Sequence, residues 1–160
     1  MPIVHLMCGF IGFGKTTVAK QLERETGAVR FTPDEIMIAR FGTDVGSDFN
    51  EKANDLLKDI WLEIERAIKS GHDVIYDEGC WSAGYRQYLT QKVHDLGARA
   101  IWHQVVCDMD IAKQRMLRRS AQYRELSIDE NWFENNLNQY EPISDADGLD
   151  VIYHDSNNQA

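Results

Sequence analysis

The sequence has 160 residues, a length that suits one domain burying roughly 70% of the surface its unfolded chain would expose. Hydrophobic residues make up 43% and charged residues 27%, which excludes a disordered or low-complexity chain. A net charge of −9, from 26 acidic and 17 basic residues, sets the mean field against DNA or RNA, so a nucleic-acid role would need a local basic patch. Cys8, Cys80 and Cys107 are odd in number, widely spaced and without a Cys-x-x-Cys pair, unlike a disulfide framework or a zinc cluster. A reducing cytoplasm fits that usage. Neither an internal repeat nor an interdomain linker is visible, and a single domain over 1–160 is expected.

The apolar start, Pro2 to Cys8, lacks a basic leader and falls far short of the roughly 18 apolar residues of a membrane span. It reads as a buried strand over Ile3 to Met7, with no membrane role. Gly9-Phe10-Ile11-Gly12-Phe13-Gly14-Lys15-Thr16 follows and fits G-x-x-x-x-G-K-S/T at every fixed position, between a strand and a helix as that motif requires. The glycines let backbone N–H groups converge on phosphates, and the helix beginning near Lys15 adds its positive dipole end. The motif points to ATP with Mg²⁺: Lys15 on the β- and γ-phosphates, Thr16 on the metal and Thr17 near the α-phosphate. Val18, Ala19 and Leu22 hold this helix on the sheet, and Gly27 closes it.

A second strand over Ala28 to Phe31 leads into Thr32-Pro33-Asp34-Glu35, at the edge where doubly wound sheets bind ligands. Asp34 could take the proton of an attacking hydroxyl. The segment also has the form of a helix start, with Thr32 as N-cap and Pro33 at the first helical position. Ala53, Leu56, Leu57, Ile60, Trp61, Ile64, Ala67 and Ile68 then trace one face of a long helix stopped by Ser70-Gly71. Asp73 to Tyr76 is an apolar strand ending in Asp77, a carboxylate placed to serve Mg²⁺. Glu78 follows, as in motor ATPases where such a residue activates water, so hydrolysis without transfer stays open.

A helix capped by Ser82 carries Tyr85, Tyr88, Leu89, Val93 and Leu96 inward and ends at Gly97. Trp61 and Tyr88 are expected in the core. The strand Ala100 to Val106 precedes a helix after Asp110. From Lys113 to Arg124 lie five basic residues, Lys113, Arg115, Arg118, Arg119 and Arg124, and no acidic one. Arg115, Arg118 and Arg119 fall on one helical face, where guanidinium groups could stabilise a transferring phosphoryl group or simply pair with Glu125 or Asp129 at the surface. A last strand is expected over Asp150 to Tyr153. Strands alternating with helices predict an α/β fold with a parallel sheet between layers of helices.

With these residues placed, the chain resembles the small P-loop kinases and kinase-like ATP-binding proteins, among them chloramphenicol phosphotransferase, zeta toxins and the kinase domains of polynucleotide kinases. The resemblance runs from Gly9 through Thr32 to Glu35, Asp77 and the basic helix to Glu141-Pro142. It implies a five-stranded sheet of order 2-3-1-4-5, an acceptor-side carboxylate at Asp34, and a lid near 119–131 bearing arginines that close over ATP, at Arg115, Arg119 or Arg124. Polynucleotide kinases carry Asp-x-x-Arg after the second strand; this chain has Met37 where the Arg would stand, with Arg40 or Arg86 as substitutes in space. The resulting expectation is transfer of the γ-phosphoryl group of ATP to a hydroxyl of a small molecule. An ATPase or switch acting on a protein partner and a 5′-hydroxyl nucleic-acid kinase are the alternatives. An Asn-Lys-x-Asp stretch of the kind that reads guanine is absent from the sequence.

Overall fold

A computed structural model describes residues 1–42, 47–123 and 130–159. Five strands, β1 (Ile3–Cys8), β2 (Val29–Phe31), β3 (Val74–Tyr76), β4 (Arg99–Val106) and β5 (Val151–Asp155), form one parallel sheet in the order β2-β3-β1-β4-β5. The order implied by the family resemblance is therefore the observed one, and each strand lies within two residues of its expected limits. Six helices connect them: α1 (Lys15–Thr26), α2 (Pro33–Phe41), α3 (Phe49–Lys69), α4 (Ala83–Asp95), α5 (Met109–Tyr123) and α6 (Glu130–Leu137), with a 3₁₀ turn at Asp145–Asp147.

Central β1 is covered on both faces, which is why Val4, Leu6, Met7 and Cys8 have no exposed surface and the strand is apolar apart from the buried His5. Edge strand β5 does not share that cover and leaves Ile152 and Tyr153 exposed. Helix α3 buries Leu56, Ile60, Trp61, Ile64 and Ile68 as its period predicts, and Trp61 packs on Tyr76 with ring centroids 5.1 Å apart. Gly27 takes a left-handed conformation (φ 73°) and donates its N–H to Glu23 O at 2.9 Å, ending α1 as expected.

Helix α4 is rotated from its expected setting. Arg86, Leu89 and Val93 are its buried residues, whereas Tyr88 is 58% exposed and stacks on Tyr85. An arginine taking an inward position turns its neighbour two residues on toward solvent, and apolar periodicity alone does not anticipate a buried guanidinium. One partner is near and two lie far along the chain: Arg86 Nη1 donates to Cys80 O (3.0 Å) and Glu141 O (2.8 Å), and Nη2 meets Asp147 Oδ2 at 3.2 Å. Two of these partners follow α6, itself a helix the sequence pattern does not mark.

Candidate ATP and phosphoryl-transfer site

The site is built at the carboxyl ends of β1 and β3. After Cys8 the chain turns through Gly9 to Gly14 and enters α1 at Lys15, with Gly12 (φ 78°) and Gly14 (φ 88°) in the left-handed region. Neither position can accept a side chain. A Cβ on Gly12 would stand 2.3 Å from Ala112 O, and one on Gly14 would stand 2.2 Å from Gln159 Oε1. Phe10 and Phe13 are buried, so in this part of the motif the backbone is left to face a phosphate. Phe10 packs edge-on against Phe133 of α6 at 5.1 Å and against Trp81 at 4.9 Å. Ile11 is half-buried and Thr17 is exposed.

Lys15 folds over the loop and donates to Phe10 O at 3.0 Å. Burial pulls its ammonium down from the ordinary lysine range, opposed by the charges of Asp77 and Asp34. Both carboxylates therefore lie within electrostatic reach of the motif lysine. Asp77 is 5% exposed and takes a hydrogen bond from Thr32, whose Oγ1 donates to Oδ2 at 3.0 Å, with the Thr16 hydroxyl close enough to favour its charged form. Burial pushes its carboxyl up, and those two hydroxyls with the charges of Lys15 and Arg30 pull against it. The sequence places Thr16 and Asp77 far apart; the fold brings them into contact.

Asp34 lies in the first turn of α2, exposed, and takes no hydrogen bond or ion pair among the described residues. Its neighbour Glu35 is committed to Arg30 (3.1 Å) and Lys20 (3.4 Å). Thr32 occupies the expected N-cap position of α2 but makes no side-chain cap, its Oγ1 being turned to Asp77 and Arg30 instead of to the first-turn N–H groups. Glu78 accepts from the Tyr85 hydroxyl at 3.0 Å and from Cys80 Sγ at 3.9 Å. Burial raises its carboxyl, with the phenols lowering it and Asp34 adding to the rise. The buried Tyr76 hydroxyl stands beside it without a well-formed hydrogen bond.

The three arginines expected on one face of α5 separate. Arg115 turns inward against the loop: Nη2 donates to Ser156 O (2.6 Å) and Gln159 O (3.1 Å), and Nη1 to Ser156 Oγ (3.2 Å) and, at 3.5 Å, to Gly12 O. Its guanidinium braces the phosphate loop from the side, so the expected contact with phosphate would require these bonds to be exchanged. Arg118 and Arg119 are exposed and carry no ion pair among the described residues. Lys113 pairs with Glu130 and, at 3.0 Å, with Glu134, the first of these within the expected lid segment. Residues 124–129 of the lid expected near 119–131, Arg124 among them, lie outside the described residues.

Several site residues were not singled out from sequence. Arg30 on β2 donates to Thr32 Oγ1, Glu23 and Glu35. Ser156 bonds Phe13 O and so ties the end of β5 to the loop. A chain of three histidines crosses the sheet interior: His5 Nδ1 meets His103 Nε2 at 2.9 Å, and His103 Nδ1 meets His154 Nε2 at 2.8 Å. Burial, with the neighbouring histidines, pushes His103 down to about 3. The available signal was one histidine on each of two predicted strands and a third, His154, one residue past the end of another. Among the described residues no cluster of His, Cys, Asp and Glu forms a closed metal site, no helix is long and apolar enough to cross a membrane, and all three cysteines are free.

Loop, lysine and strand-end carboxylate on a 2-3-1-4-5 sheet define a P-loop protein with the fold of the P-loop kinases. The family profile described as AAA domain matches residues 4–143, and the chain belongs to that family. No curated protein matches the sequence. Among solved structures, a candidate kinase from Chloroflexus aurantiacus J-10-fl is similar over 97% of this chain and 85% of its own, with TM-score 0.77 and 17% identity. A sugar kinase from Janibacter sp. HTCC2649 is similar over 97% of this chain and 85% of its own, with TM-score 0.62 and 19% identity. The Pnkp1/Rnl/Hen1 RNA repair complex contains a chain similar over 89% of this one and 48% of its own, with TM-score 0.74 and 21% identity.

Proposed function

We propose that the chain is an ATP-dependent phosphotransferase that moves the γ-phosphoryl group of ATP to a hydroxyl of a small molecule. The observation that carries the reading is the convergence of Lys15, Thr16 and Asp77 at one end of the loop, with the uncommitted carboxylate of Asp34 in reach of Lys15. Backbone N–H groups from Gly12 to Thr17 cradle the phosphates, and Lys15 leaves Phe10 O for the β- and γ-oxygens. Thr16 and Asp77 would hold Mg²⁺, and a buried carboxylate beside the motif threonine, with both groups offering oxygen, fits that ion. When bound, the ion neutralises charge developing on the phosphates. Asp34 orients the acceptor hydroxyl and takes its proton. Arg119 and Arg124 supply charge from the lid side, over the phosphoryl group in flight. The site would operate in the cytoplasm.

Glu78 favours transfer over bare hydrolysis. Its carboxyl accepts from the Tyr85 hydroxyl at 3.0 Å, so an attacking water would have to compete with that phenol for the same oxygen. The fold of the RNA-repair chain keeps a 5′-hydroxyl nucleic-acid kinase in view, but neither arginine offered in place of Met37 is free. Arg40 pairs with Asp59 at 2.9 Å and Arg86 is buried on Asp147. The test is a screen of hydroxyl-bearing metabolites, with a 5′-hydroxyl oligonucleotide alongside, for phosphate incorporation from labelled ATP. A small-molecule acceptor should be labelled, and Glu78→Gln should keep most of that activity while Asp77→Asn loses it. Labelling of the oligonucleotide alone would replace the small-molecule acceptor. Loss of ATP hydrolysis in Glu78→Gln with ATP still bound, and no labelled acceptor, would favour the ATPase.

A further inference from the structure

Thr32 has two plausible occupations and the fold chooses between them. As N-cap of α2 its hydroxyl would accept from a backbone N–H of the first turn, yet that bond is absent. Instead the side chain is 6% exposed and lies between two charged groups, Arg30 and Asp77. A hydroxyl has one proton to give and lone pairs to accept with, whereas a guanidinium can only donate. Arg30 Nη1 therefore occupies a lone pair of Thr32 Oγ1, and the single hydroxyl proton is left for Asp77 Oδ2, 3.0 Å away. The polarity of the chain is fixed from one end: Arg30 donates to Thr32, Thr32 donates to Asp77, and Oδ2 must present a lone pair.

Arg30 is itself immobilised. Its Nε donates to Glu23 of α1 at 2.9 Å and its Nη1 to Glu35 of α2 at 3.1 Å, so the guanidinium joins the two helices on either side of β2. Asp77 is further fixed by its backbone, whose N–H donates to Phe31 O at 2.9 Å and continues the β2–β3 pairing past the last strand residue. The hydroxyl of Thr16, the residue placed to touch the metal, also lies near enough to favour the charged carboxylate. One carboxylate oxygen, Oδ2, is tied back by Thr32, which restricts how the carboxylate can turn toward the metal position.

We infer that Thr32 is a positioning residue for the metal site: it orients Asp77 toward Mg²⁺, with Arg30 setting the direction of its hydroxyl. The inference rests on the proposed reading of the loop as a Mg²⁺–ATP site. Partners one shell out from a metal commonly control its affinity by 10- to 100-fold, because they fix the orientation of the groups that touch it. Thr32→Val keeps the shape and removes only the hydroxyl; Thr32→Ser keeps the hydroxyl; Arg30→Met removes the guanidinium.

The experiment measures binding of the non-hydrolysable analogue AMPPNP by calorimetry, in EDTA and across a Mg²⁺ series. In Thr32→Val the Mg²⁺ concentration that gives half of the metal-dependent gain should rise about tenfold or more. The affinity in EDTA should stay within about twofold, because the loop and Lys15 are untouched. Thr32→Ser should behave as the wild type, and Arg30→Met should shift the Mg²⁺ midpoint in the same direction by a smaller factor. If Thr32→Val proves too unstable to titrate, Arg30→Met against Thr32→Ser decides the same question. An unmoved Mg²⁺ midpoint, or equal losses with and without the metal, would show that Thr32 is only a packing residue. A wild type whose AMPPNP binding ignores Mg²⁺ would overturn the proposed site and this inference with it.

Discussion

The two sides of the phosphate loop are built from opposite chemistry. Toward β2 and β3 stand Asp34, Asp77 and Glu78, carboxyl groups with capacity to bind metal or accept a proton. Toward β4 and β5 stand Arg115, Ser156 and Gln159, whose polar atoms are consumed in holding the loop to the end of the sheet. The first side leaves Asp34 exposed and unpaired among the described residues, and the second pairs its buried groups with backbone carbonyls. A loop that must present converging N–H groups needs one rigid side, because a misplaced donor costs more than an absent one. The other side can then carry the reacting groups.

That division makes substitutions on the two sides separable. Asp34→Asn should have the largest effect on turnover, lowering phosphoryl transfer by about 10² to 10⁴ with nearly unchanged ATP affinity. Weakened Mg-ATP binding instead would move Asp34 into the metal site, and no change in either quantity would leave it as part of a helix start. Arg115→Met should act mainly on stability and nucleotide affinity, since it orphans the carbonyls of Ser156 and Gln159. The loss should be about 1–3 kcal/mol by chemical denaturation, with the rate at saturating ATP little altered. A rate loss comparable to that of Asp34→Asn would return Arg115 to the phosphate and erase the contrast between the sides.

The smallest expected effect concerns the histidine chain behind the β4–β5 side. Between the ordinary histidine value near 6.5 and the value of about 3 for His103, the unfolded chain binds a proton that the folded chain refuses. Stability should therefore rise with pH through that window and be lost as pH falls. His103 contributes up to about 1.4 kcal/mol per pH unit there. Denaturation midpoints at pH 7 and pH 5 should differ more for the wild type than for His103→Asn. Equal differences would mean that the chain is not neutral in the fold.

Much of the nucleotide side was readable because its signals are local. Gly9 to Thr16 lie in one unbroken stretch between β1 and α1, and Asp77 follows its own apolar strand. What escaped depends on partners distant in sequence. Arg86 is buried because Asp147 and Glu141 O meet it across 61 and 55 residues. Thr32 carries a valid local cap signal, overridden by a carboxylate 45 residues away. Arg115 and Arg119 have the same charge and nearly the same period, and only the position of Ser156 and Gln159 separates a bracing arginine from an exposed one. The positions of the loop and of the strand-end carboxylate were legible; the hydrogen bonds that fix them were not.

The central claim is that the loop from Gly9 to Thr16 binds Mg-ATP through Lys15. Calorimetric titration of the wild type and of Lys15→Ala with ATP in Mg²⁺ tests it most directly, with unfolding curves run on both proteins to confirm that each is folded. The account predicts saturable binding by the wild type and an affinity at least about tenfold lower in Lys15→Ala, as removal of a charge paired with phosphate requires. A folded Lys15→Ala variant with an unchanged ATP titration would contradict it.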